Sequence, residues 1–168
     1  MDFSKLFLVI PLTILSTSIA AQTQETVPYK VAVNSGITTC LAQIKELTEY
    51  VLKNDAHASH DIWNSVDSDR RMFSSFIVKS YSDMDTHINL VIGPDKTGKC
   101  YGEYNETAIW PKACAVLREE MFADFEFYGS LTSTSFGLQN ASGDLNVYLT
   151  PQTGGNSCLT TRREIIYF

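Results

Sequence analysis

Positive charge is scarce in this chain. Lysine and arginine together number 13 against 19 aspartates and glutamates, a formal net charge of −6 over 168 residues. A surface of that sign repels phosphate backbones and anionic lipid, so nucleic-acid binding is not expected. Histidine is limited to three residues. Neither a Gly-x-Ser-x-Gly elbow nor a His-Glu-x-x-His motif occurs, which removes the common nucleophilic and zinc-hydrolase signatures. The turn at Asp83-Met84-Asp85 is too short for a calcium loop and lacks the glycine of its sharp bend. Cysteine is limited to four residues, Cys40, Cys100, Cys114 and Cys158, and no two have the close spacing of a zinc-binding pair. No cofactor is therefore expected. Long apolar runs are missing too. The best, residues 6–15, is about half the ~20 residues a spanning helix needs, so no membrane span is expected.

What is present reads as a globular chain with room for one domain, 44% hydrophobic and 19% charged. Residues 1–21 read as a cleaved export signal. Lys5 gives a basic start, residues 6–15 the apolar stretch, and Ser18, Ala20 and Ala21 the small-residue exit. The mature domain is then 22–168, in the periplasm or the extracellular space. An even cysteine count in an oxidising compartment implies two disulfides.

An internal echo organises the remainder. Ile88-Asn89-Leu90-Val91-Ile92-Gly93-Pro94 precedes Cys100, and Leu145-Asn146-Val147-Tyr148-Leu149-Thr150-Pro151 precedes Cys158. Glu106 follows the first cysteine at the same distance as Glu164 follows the second, and the two segments end on Trp110 and Phe168. Two pseudo-repeats follow, about 35–110 and 111–168. Ile37, Leu41, Ile44, Leu47 and Val51 recur at helical spacing and predict a helix over 35–54; Pro111, Cys114, Leu117 and Met121 predict another over 111–123. Strands are expected at 73–81, 86–92 and 100–109, then at 126–132, 146–149 and 159–168, with an additional one at 135–139. Residues 23–33 read as an extended lead-in.

The fold class expected is α+β: two αβββ repeats forming one antiparallel sheet of six or seven strands, with two helices on one face and two disulfides. A cysteine facing inward from a helix meets a strand beneath it more readily than the other helix. Cys40–Cys100 and Cys114–Cys158 are the expected bridges, with Cys100–Cys114 the alternative across Trp110-Pro111.

Residues 55–71 have no expected counterpart in the second unit and read as a functional insertion. His57, His60 and Asp61, read on a helical turn, form a candidate metal or hydrolytic set, with Asp55 as a further ligand and Ser59 as a nucleophile. Trp63 is the candidate anchor for a partner, and Arg70 and Arg71 a candidate grip on a carboxylate. Arg163 and Arg71 are expected to pair with acids on an open sheet face, with Glu106 and Glu164 as structural partners. The function read from these features is an exported, non-enzymatic, disulfide-stabilised binding domain whose partner is another protein, of inhibitor, immunity or secretion-assembly type. A small metal-dependent or hydrolytic enzyme centred on His57, His60 and Asp61 is the alternative.

Overall fold

The computed structural model describes residues 24–168; the expected leader at 1–21 lies outside the described residues. Among the described residues, three helices and eight strands make up an α+β fold. Helix α1 is Val27–Asn34, helix α2 Leu41–Leu52 and helix α3 Cys114–Met121. The strands are β1 Ala56–Ile62, β2 Phe73–Ser80, β3 Asp85–Pro94, β4 Cys100–Trp110, β5 Glu126–Ser130, β6 Phe136–Gln139, β7 Leu145–Pro151 and β8 Cys158–Tyr167. All eight form one sheet in the order β1-β2-β3-β4-β8-β7-β6-β5, antiparallel at every pairing. Among the described residues no helix is long and apolar enough to cross a membrane.

Three expectations are corrected. The lead-in is helical, not extended: Pro28 sits in the first turn of α1, where a missing N–H costs nothing, and Ala32 is buried. The first long helix starts at Leu41 rather than at residue 35, because Gly36 turns the chain at φ +72°. Its end is forced, with Lys53 and Asn54 both at positive φ, a conformation that costs a side-chain-bearing residue about 1 kcal/mol. The sheet has eight strands rather than six or seven. The extra one is β1, inside the segment read as a loop insertion, and it holds one edge of the sheet as β5 holds the other.

Strand alternation sets the faces. Helix α2 packs on the side of Cys100, Gly102 and Tyr104, so closely that a Cβ on Gly102 would lie 3.0 Å from Leu47 Cδ2. Two cores form on that side. The larger gathers Ala32, Ile44, Leu47, Phe73, Ile88 and Leu90 among others, and the smaller is Cys114, Leu117, Leu138, Val147, Leu149 and Cys158. Each core is tied by one disulfide, Cys40–Cys100 and Cys114–Cys158, closing separations of 60 and 44 residues. That is the pairing in which a helix cysteine meets the strand beneath it.

Among the described residues, the other face of the sheet carries no helix. On β2, β3, β4, β8 and β7 it presents Phe76, Val78, Val91, Tyr101, Ile109, Leu159, Ile165, Tyr167 and Tyr148, interleaved with serine, threonine and asparagine. Ile109 is 61% exposed and Tyr167 75%.

Candidate functional site

The insertion residues do not converge. Because β1 is a strand, His57, Ser59 and Asp61 point to the helix side and His60 to the open side. The helical turn that would have joined the histidines does not exist. Both ring nitrogens of His57 are engaged: Nε2 accepts from the Val27 backbone N–H at 3.1 Å, and Nδ1 lies 2.8 Å from the Asp55 carbonyl. A neutral ring donating from Nδ1 satisfies both contacts and leaves no lone pair for a metal. His57 therefore clamps the start of α1 to β1. Ser59 donates directly to Asp61 Oδ2 at 2.7 Å, with no histidine between them to serve as a base. Among the described residues no group of three histidine, cysteine or acidic side chains could hold a metal ion.

Trp63 is half-buried and packs against the larger core. Arg70 and Arg71 are exposed and share Asp67, at 2.8 and 3.7 Å. Asp69, just before them, holds the segment that leads into α2: its carboxylate accepts from the backbone N–H groups of Thr38 and Thr39 and from the Thr38 hydroxyl. Those bonds favour the charged form and hold its carboxyl below the usual aspartate range. Arg163 does pair on the open face, with Glu103 at 2.8 Å. The bond to Arg163 in turn holds the Glu103 carboxyl below the ordinary glutamate range.

Glu106 and Glu164 are elsewhere than expected. Both share parity with the cysteines of their strands and so face the helices, not the open side. Glu164 accepts from the Tyr104 hydroxyl at 2.8 Å and the Tyr50 hydroxyl at 3.3 Å. Burial pushes the Tyr104 phenol far up, so it stays a neutral donor. Lys79, 2% exposed, donates to the Val51 carbonyl at 2.8 Å and lies 3.0 Å from Asp55 Oδ2, with its ammonium 4.8 Å from the Tyr81 ring centre. Burial pulls this ammonium down, but Tyr81, Asp55 and the more distant Glu106 together hold it above the ordinary lysine value.

Sequence reasoning missed a cavity of about 300 Å³ between the two cores. Its floor is the central strand pair, where Glu106 lies directly opposite Arg162. One wall is apolar, made of Trp110, Met121, Phe122 and Val147. The β2–β3 turn supplies the other, with Tyr81 and Thr86 hydrogen-bonded to Glu106 Oε1 at 3.3 and 3.1 Å. The signal was in the sequence: Cys100, Glu106 and Trp110 have the same parity, so a bridged Cys100 puts all three on the helix side.

Compared with models of protein families, with curated proteins and with solved structures, the chain has no match.

Proposed function

We propose that this chain is an exported binding domain that docks another protein on the open face of its sheet. Two disulfides suit an oxidising compartment outside the cytosol, periplasmic or extracellular. The proposal treats residues 22–168 as one domain of two related units, about 35–110 and 111–168. Support for that relation comes from the arrangement itself, a helix followed by a four-stranded meander, twice, with β4 and β8 side by side at the centre.

The observation that carries the reading is the composition of the open face. The chain is acidic, yet on its six inner strands β2, β3, β4, β8, β7 and β6 this face holds full charges only at Asp85, Glu103 and Arg163, and the last two neutralise each other. Aromatic and aliphatic side chains with few charges are the composition of a protein–protein interface core. An anionic lipid surface or a nucleic acid would ask for basic residues instead. Trp63, half-buried under the larger core, is a support rather than the anchor; exposed Phe76, Ile109 and Tyr167 take that role.

The test places a photo-crosslinking residue at Ile109 or Tyr167 on the open face, and at Val116 on the exposed side of α3. Material is then exposed to the proteins of the native compartment. One adduct obtained from both open-face positions, competed by unmodified protein and lost with Phe76→Asp, is the expected result. Adducts equal at all three positions, or none, overturn the reading.

A further inference from the structure

The cavity between the cores is built where a sheet of this kind normally closes. Rows across the sheet run through it: Ile88, Glu106, Arg162 and Val147 are successive register partners, and so are Ala108, Thr160 and Leu149. Of the outer members, Ile88 lies in the larger core and Val147 and Leu149 in the smaller, while Ala108 is buried at the cavity itself; the middle members are polar. A floor of that kind cannot be sealed by apolar side chains without burying charge, which costs several kcal/mol per ion.

The two charges on the floor are not spent on each other. Among the described residues no ion pair joins Glu106 to Arg162 or to any other base; its polar contacts are the two hydroxyls on Oε1. Arg162 gives Nη2 to the Tyr50 hydroxyl at 2.8 Å and lies 3.8 Å from Glu164, but its buried Nε has no partner among the described residues. A third of its side chain, 34%, stays exposed. An unsaturated carboxylate and an unsaturated guanidinium therefore stand side by side at one end of a cavity whose wall is Trp110, Met121, Phe122 and Val147.

From this juxtaposition we infer a small-molecule site for a free α-amino acid with an apolar or aromatic side chain. Its ammonium meets Glu106, its carboxylate meets Arg162, and its side chain lies against the Trp110–Phe122 wall. An α-amino acid is the simplest ligand with opposite charges one carbon apart beside an apolar body. A simple cation would face Arg162, and a simple anion would face Glu106. The cavity volume of about 300 Å³ lies at the lower end of the range for small-ligand pockets and accommodates a molecule of that size. Charge-assisted bonds at both ends set the specificity. The inference stands apart from the open-face proposal, since the two sites lie on opposite sides of the sheet.

Calorimetry with L-phenylalanine and L-leucine tests it, alongside N-acetyl-L-phenylalanine, L-phenylalanine amide and the doubly blocked N-acetyl amide. The blocked forms probe wild-type protein and need no folding control. A Trp63→Phe variant leaves Trp110 as the single tryptophan, so saturable change in its emission locates the ligand. The expected result is saturable binding of the free amino acids, with each single block weakening it by about tenfold or more. Glu106→Gln and Arg162→Gln should each weaken it by a similar factor. Three results overturn the assignment: no binding up to about 10 mM, affinity unchanged in both variants, or binding of the doubly blocked form alone, which would make the cavity a seat for a partner's chain.

Discussion

The two halves of this molecule share a layout and differ in how they are held. Among the described residues, α1 packs on β1 and α2 on β4 over a core of twelve buried residues in the first half, while in the second α3 packs on β7 and β8 over six, two of which are the disulfide cysteines. Buried apolar area stabilises at ~25 cal/mol per Å², so the larger core gains more from the hydrophobic effect alone. The smaller one leans on its covalent tie. Helix α3 shows the same economy: only Cys114 and Leu117 of its eight residues are buried, against five of twelve in α2. A small core relies on cross-links for the same reason that small secreted domains do.

The strongest way to break this comparison is to remove one bridge at a time. By loop entropy the two bridges are nearly equal, about 4 kcal/mol each for separations of 60 and 44 residues. Their consequences should not be equal. Cys114→Ala with Cys158→Ala also removes a third of the smaller core, and amide protection in β5–β7 should collapse while β2 and β3 stay protected. Cys40→Ala with Cys100→Ala should lower overall stability by a similar amount with protection in β2 and β3 still highest. Hydrogen exchange read by mass spectrometry separates these outcomes. Equal loss across both halves in either variant would mean that the eight-stranded sheet unfolds as one unit and that core size does not matter.

A smaller effect sharpens the picture of the first half. Lys79 is buried in it with Asp55 and the Val51 carbonyl as partners. Removing the acid strands a buried ammonium, whereas removing the lysine replaces a charge with packing. Asp55→Ala should therefore destabilise more than Lys79→Met, by about 1–3 kcal/mol against less than about 1. Urea unfolding at neutral pH measures both. The lysine's value in the fold is raised, so its contribution is fully present below the unfolded lysine value and declines only as pH rises through the folded one. Alkaline titration should thus weaken the first half only above the ordinary lysine range. Equal losses in the two variants would show that the pair carries no charge balance.

Much of this was legible from the chain. The apolar alternation of residues 86–92 and 146–149, the inward cysteines and the glycine-bearing turns place β3, β4, β7, β8 and the bridges. The missing pieces are short or polar. Strand β1 reads Ala-His-Ala-Ser-His-Asp-Ile, and as an edge strand it buries no large side chain, so it offers neither an apolar run nor an apolar face. That lost strand is what made His57 and His60 look like neighbours on a helix. Helix α1 is rich in valine, which favours strands; Pro28 was the contrary signal, and packing against α2 and β1 decided it. The cavity was hidden for another reason. Glu106 and Arg162 are unremarkable singly, and only the β4–β8 register makes them opposite.

The gentlest probe concerns the joint between the short 3₁₀ turn Ser68–Arg70 and the start of α2. Asp69 holds the approach to that helix from a distant part of the chain through Thr38 and Thr39, which precede its first turn, while no side chain caps the first turn of either α2 or α3. A carboxyl held below its ordinary value stabilises fully above the unfolded aspartate value and loses that contribution as pH falls through the folded one. Acid should therefore loosen the Thr38–Thr39 approach to α2 at a pH below the ordinary aspartate range. Asp69→Asn should loosen it at neutral pH, because an amide accepts these bonds more weakly than a carboxylate. Arg70→Ala and Arg71→Ala, which pair with Asp67 at the surface, should change neither. Backbone amide shifts at Thr38 and Thr39, followed by NMR against pH, read the joint directly. An acid midpoint shared with the first turn of α3 would mean that the Asp69 tie does not distinguish the two halves.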